Sequence, residues 1–145
     1  MLVRSAHATE SDAIADVFLA SFRGLTFLPI LHSDAEIRAW IRDEMIPGHE
    51  VLVAEADGEI TGFAALAGDL LGHLYVRPEQ QGRGVGTALL DVVKRERPAG
   101  FHFWVFQRNE GARRFYERHG CRLVELADGS RNQEREPDAR YEWAP

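Results

Sequence analysis

The chain has 145 residues, 45% of them hydrophobic and 28% charged, which fits one compact domain over 1–145 with a core of its own. Seventeen Lys and Arg against 23 Asp and Glu give a formal net charge of -6, which argues against a general nucleic-acid binder and suits a cationic partner. A single cysteine, Cys121, excludes an internal disulfide and suits the reducing cytoplasm, and the six histidines show no metal-ligand spacing, so no metal site is expected.

The opening "MLVRSAHATESDAI" lacks the basic-then-apolar pattern of a signal peptide, and residues 2–6 read as a first strand. "TESD" at Thr9–Asp12 has the capping-box spacing, and Ile14, Val17, Phe18, Ser21 and Phe22 then share one helical face. "SDAE" at Ser33–Glu36 is a second capping box, leading into Ile37, Trp40, Ile41 and Met45, with Pro47-Gly48 as the stop.

Val51–Ala56 and Ile60–Leu66 read as a hairpin joined through Asp57-Gly58, and a further strand is expected near Gly72–Val76. After three glycines comes a third helix, with Val85, Ala88, Leu89, Val92 and Val93 as its buried stripe. "FHFWVFQ" suits a central strand, Asn109–His119 a fourth helix closed by Gly120, and "CRLVEL" and "ARYEW" two last strands. The order β-α-α-β-β-β-α-β-α-β-β predicts a mixed central sheet with helices on both faces. The portion 72–107 is expected to be a right-handed crossover between parallel neighbours. No apolar run is long enough to cross a membrane, and none is expected to do so.

The chemistry concentrates in "HLYVRPEQQGRGVGTALLDVV", His73–Val93, where Gly82, Gly84 and Gly86 stand between a strand and a helix. Glycine lets backbone N–H groups approach a bulky anion, and the positive end of the helix dipole then favours it. Arg83 adds a charge of the right sign. The alternative is a tight turn with no ligand. Two familiar phosphate patterns fail: Thr87-Ala88 follows Gly86 where a Walker loop needs Lys-Ser/Thr, and Thr87 stands where a dinucleotide fingerprint needs Gly or Ala.

"Gln81-Gly82-Arg83-Gly84-Val85-Gly86" resembles the Q/R-x-x-G-x-G/A signature of the GNAT superfamily of acyl-CoA N-acyltransferases. The lead-in "LYVRPEQQGRG" is similar to that family too, as is "RNEGARRFYERHGCRLVE" downstream. The resemblance covers the whole element order and is strongest over Leu74–Glu125. It departs at Cys121, where the family usually carries an aromatic residue.

The resemblance implies that the turn holds the pyrophosphate of acetyl-CoA, with Gln81, Gly82, Arg83, Gly84, Val85, Gly86 and Thr87 as the cradle. It implies a splayed sheet, with the pantetheine arm bonding the backbone of Leu74, Tyr75 and Val76 like an added strand. Tyr116 corresponds to the general acid that protonates the departing thiolate. Asn109 shares its helix face and touches the pantetheine or serves as a plain N-cap, while Ala112 and Phe115 pack beside the cofactor.

A proton acceptor for the amine is expected on the strand before the turn. Period two puts His73 on the side of the first two helices, and an imidazole of ordinary pKa, about 6.5, suits the task; Glu55 and water are the alternatives. Trp40, Phe22, Phe27 and Trp104 are candidates for an acceptor pocket or for the core. "SRNQEREPDAR" at Ser130–Arg140 is either a solvated hairpin or a substrate-facing loop. His102 and His119 show no partner.

The implied activity is direct acetyl transfer from acetyl-CoA to a primary amine in a ternary complex, without an acyl-enzyme on Cys121. The alternative is a non-catalytic acyl-CoA-binding module. The acceptor, a small molecule or a protein or peptide amine, stays open among polyamine, aminoglycoside, amino acid and protein N-terminus. No nucleic-acid or membrane partner is expected, and a homodimer is compatible with the family.

Overall fold

The computed structural model describes residues 1–145 as strands and helices in the expected order. The strands are β1 (Leu2–Ser5), β2 (Glu50–Ala56), β3 (Glu59–Ala67), β4 (Leu70–Val76), β5 (Phe101–Phe106), β6 (Arg122–Ala127) and β7 (Asp138–Trp143). The helices are α1 (Ser11–Phe22), α2 (Asp34–Trp40), α3 (Ile46–Gly48), α4 (Val85–Glu96) and α5 (Glu110–Arg118). A π-helical segment, Ile41–Met45, joins α2 to α3, so the second predicted helix is one rod with a widened turn in its middle. No helix is long and apolar enough to cross a membrane.

Local signals account for most boundaries. Ser33 Oγ accepts from Glu36 N at 3.1 Å while Glu36 Oε1 accepts from Ser33 N at 2.9 Å, the reciprocal box that starts α2. Asp57 and Gly58 both take positive φ, 53° and 77°, which matches the twist of the β2–β3 hairpin. Thr9 is not an N-cap. The chain enters α1 through a 3-10 turn, Ala8–Glu10, in which Glu10 Oε1 accepts from His7 N at 2.8 Å. Arg4 of β1 grips the same carboxylate at 2.9 and 2.7 Å, and this pair, six residues apart, braces the entry to the helix.

The sheet runs β1-β2-β3-β4-β5-β7-β6 and is antiparallel except between β4 and β5. Alternation along β2 and β3 sends Val51, Val53, Phe63 and Ala65 to α1 and α2, and Leu52, Ala54, Ala64 and Leu66 to α4. Helix α4 buries Val85, Leu89, Leu90 and Val93. Leu90 joins the expected stripe, while Ala88 and Val92 stay half-buried. Each large aliphatic side chain so buried contributes roughly 1.5–3 kcal/mol.

Two irregularities open the sheet. Strands β4 and β5 pair only at Leu70 and His102 and diverge beyond that point. In β4, Ala65 faces His73 while Leu66 faces Leu71, so Gly72 is an extra residue, a bulge. The bulge shifts the alternation by one: Leu71, Leu74 and Val76 all reach the α4 side, and His73 and Tyr75 the α1 side.

Candidate active site

Gly82 and Gly84 take φ of 77° and 86°, and a Cβ on either would meet no protein atom within 4 Å. Their conformation is the left-handed one that glycine adopts without strain, and the space beside them faces outward. Past Gln81, the first backbone N–H to find a protein acceptor is that of Ala88, which donates to Gly84 O at 3.0 Å. The N–H groups of residues 82–87 are thus a run of unpaired donors at the positive end of α4, an anion nest. Gly86 differs from its neighbours: a Cβ there would meet the Phe115 ring at 3.2 and 3.3 Å, so this glycine lets α5 sit against α4. Thr87 Oγ1 contacts His119 Nε2 at 3.0 Å, and His119 Nδ1 contacts Phe115 O at 2.8 Å, so His119 has partners after all and ties the two helices together. His102 lies 3.7 Å from Asp69.

The divergence of β4 from β5 leaves main-chain groups free. Arg77 N donates to Thr61 O at 2.8 Å, and the antiparallel alternation then commits the peptide groups of Tyr75 and His73 to β3. Those of Leu74 and Val76 point into the gap. Tyr75 therefore offers its ring, not its backbone. The Val76 carbonyl is also engaged, accepting from Ser21 Oγ at 2.6 Å and Gln81 Nε2 at 3.2 Å. The gap keeps the Val76 N–H and both polar groups of Leu74.

Tyr116 is buried on α5, its ring 4.2 Å from that of Phe103 and 5.2 Å from that of Phe115. Its hydroxyl has no protein hydrogen-bond partner. Burial, with the nearby Tyr75 and Cys121 adding, raises its pKa above the ordinary tyrosine value, so it stays protonated. Asn109 is the N-cap of α5: its Oδ1 accepts from Ala112 N at 3.2 Å. Ala112 and Phe115 pack beside the core on the α4 side. Burial pushes the Cys121 thiol up to about 11, which leaves it un-ionised near neutral pH.

On the other side of the gap lies a cavity of about 1110 Å³, bounded by α1, α2, β4, β5 and the segment from Glu125 to Asp138. Phe22, Trp40 and Trp104 line it, together with Phe18, Tyr75 and Phe106. Phe27 does not: it packs on Phe106 and under Arg108. Glu55 is also outside it, its carboxylate held by Arg4 at 2.8 Å. The long connection between β6 and β7 does line it, through Ser130, Arg131, Asn132, Gln133 and Glu134. Asn132 braces that loop, with Nδ2 donating to Glu136 O at 2.8 Å, and Arg108 clamps Glu136 at 2.9 and 2.6 Å.

His73 lies among Trp40, Phe18 and His49, with ring centroids 5.5, 6.1 and 5.9 Å away. Its Nδ1 is the one buried side-chain polar atom in the protein without a hydrogen-bond partner. Burial, and then His49, lower its pKa to about 4, well under the ordinary value that the sequence suggests. At neutral pH the ring is uncharged. Between the unfolded pKa of about 6.5 and the folded value near 4 the unfolded chain binds the extra proton, so stability should fall as pH drops through that window. Urea unfolding at pH 7 and pH 5 should show this loss, and His73→Gln should reduce it. An equal loss in the variant would assign the acid sensitivity elsewhere.

A run of unpaired backbone N–H groups, a splayed strand pair and a buried protonated tyrosine meet at one gap. The model of the acetyltransferase (GNAT) domain matches residues 47–121, just over half of the chain. The chain belongs to the GNAT family. The match takes in the β2–β4 meander, the glycine turn, α4, β5 and α5. Among curated relatives, the peptidyl-lysine N-acetyltransferase YiaC of Escherichia coli is 29% identical over 128 residues, covering 87% of this chain and 86% of that protein. The apo solution structure of YjaB from Escherichia coli has a TM-score of 0.81 at 21% identity, over 98% of this chain and 96% of that one. The yncA protein of Salmonella typhimurium, solved with acetyl-CoA, has a TM-score of 0.74 at 19% identity, over 99% and 93%. These structural likenesses show that the GNAT fold extends over the whole chain.

The acidic residues that also line the cavity, Glu36, Glu44, Glu125, Asp128, Glu134 and Asp138, and the Ser21 contact to Val76 carry no sequence signal. They come from segments far apart in the chain and meet only in the fold.

Proposed function

We propose that this GNAT protein transfers the acetyl group of acetyl-CoA directly to a primary amine bound in the aromatic cavity. The observation that carries the reading is the juxtaposition at the gap. The N–H groups of residues 82–87 open on one side, the cavity on the other, and the Tyr116 hydroxyl has no protein partner. Acetyl-CoA supplies an activated thioester. The nest binds its pyrophosphate, and the free groups of Leu74 and Val76 bond the pantetheine arm as an added strand. Asn109 holds the start of α5 in place, which sets the position of Tyr116 about two turns on.

The amine attacks as its free base. Once the nitrogen–carbon bond forms, the nitrogen bears positive charge and its proton is far more acidic than that of the starting ammonium. The uncharged His73, with an unpartnered ring nitrogen, accepts that proton directly or through water. Tyr116 gives its proton to the thiolate as the carbon–sulfur bond breaks. Cys121, a buried thiol, takes no part.

Free-thiol release from acetyl-CoA across a panel of primary amines, with mass spectrometry of the acetylated product, tests the reading. Cys121→Ser should keep the activity and yield no acetylated protein intermediate. Acetyl-CoA binding without thiol release from any amine would favour a non-catalytic binding module.

A further inference from the structure

The charge of the cavity is one-sided. Glu36, Glu44, Glu125, Asp128, Glu134 and Asp138 line it, against a single arginine, Arg131. None of these six carboxylates belongs to any of the protein's eleven arginine–carboxylate ion pairs, which engage carboxylates outside the cavity. Glu134 lies near enough to Tyr75 for its charge to help hold that phenol protonated, which places it toward the reacting end. A cleft walled by apolar rings and lined with one sign of charge concentrates the opposite charge, because its field is poorly screened by water. The faces of Trp40, Tyr75 and Trp104 add cation–π attraction and cover for methylene groups. The unpartnered Nδ1 of His73 is a polar contact waiting in the same wall.

We propose that the acceptor is a polyamine. Its reacting primary amine enters the gap beside His73, and at least one further ammonium group, an aliphatic spacer away, is held by these carboxylates, none of which makes an ion pair within the protein. A free amino acid would bring its own carboxylate against six others with one guanidinium to receive it. A monoamine would leave most of the cavity's charge unanswered. His32 Nε2 donates to Gln133 Oε1 at 3.0 Å, linking the α1–α2 connection to the β6–β7 loop across the cavity wall. That bridge joins two walls of the cavity, an arrangement that suits a slender flexible chain better than a folded protein surface.

This inference rests on the N-acetyltransferase reading, and two separate readouts keep them apart. Calorimetry on the coenzyme A-saturated protein measures binding of spermidine, n-butylamine, L-leucine and a lysine-containing peptide, while thiol release measures transfer. Spermidine should bind at least about tenfold more tightly than n-butylamine, equivalent to about 1.4 kcal/mol. Its affinity should fall with added salt, and L-leucine should not compete. Glu134→Gln and Glu44→Gln should each weaken spermidine several-fold and leave n-butylamine unaffected, with Asp91→Asn on the exposed face of α4 as the unaltered control. Equal binding of spermidine and n-butylamine, or preferred binding of the peptide or of leucine, overturns the polyamine assignment. Tight, carboxylate-dependent spermidine binding without thiol release upholds the charge selection and removes the transferase reading instead.

Discussion

Tyr116→Phe should lower kcat by about 10- to 100-fold, or about 1.4 to 2.7 kcal/mol of barrier, with acetyl-CoA affinity and thermal stability nearly unchanged. The structure explains the separation. The ring packs on Phe103 and Phe115, whereas the hydroxyl bonds no protein atom, so the variant loses the proton donor and keeps the contacts. General acids contribute about 100- to 10,000-fold in general; the low end applies here because a thiolate is already a fair leaving group. The pH profile supplies a second check. A donor whose pKa lies above the ordinary tyrosine value loses its proton only above that value, so Tyr116 should produce no falling limb below about pH 10. Parental kcat in the variant, measured where chemistry limits turnover, would remove Tyr116 from the mechanism and leave the cofactor site standing.

Gly84→Val should reduce acetyl-CoA affinity at least about tenfold, or about 1.4 kcal/mol. Two effects combine. A β-branched side chain at φ 86° is strained, by roughly 1–2 kcal/mol, and it fills the open space through which an anion reaches the N–H groups. Gly58→Val separates the two. Gly58 has a similar φ of 77° and equally open surroundings, but it lies in the β2–β3 turn. It should lower the melting temperature comparably and leave coenzyme A binding intact. Calorimetry that finds equal affinity loss in both, or none in Gly84→Val, would end the pyrophosphate assignment.

Residues close in sequence made most of this protein legible. The Ser33–Glu36 box, the Asp57-Gly58 turn, the stripe on α4 and the aromatic β5 depend on neighbours a few positions apart. Period and turn chemistry suffice for them. The glycine turn is of the same kind, since a strand, two left-handed glycines and a helix start are consecutive. The order of elements and the family resemblance follow from these local signals. Where a partner outside the motif intervened, the local pattern misled. Arg4 took Glu10 and moved the start of α1 away from Thr9, and Phe115 of α5 gave Gly86 a packing role that the motif does not distinguish from an anion-binding one.

The tertiary structure alone decided the rest, because the quantities concerned depend on what surrounds a group and not on what precedes it. The ordinary imidazole pKa gave way to about 4 once Phe18, Trp40 and His49 desolvated His73. The extra residue at Gly72 set which face of β4 each side chain takes. The single β4–β5 contact at Leu70 and His102 opened the gap, and the Ser21 hydroxyl closed one of the carbonyls within it. The six cavity carboxylates, spread from Glu36 to Asp138, have no common period or motif. Only the folding of α2, the π-helical segment, β6 and the β6–β7 loop around one space gives them a shared field.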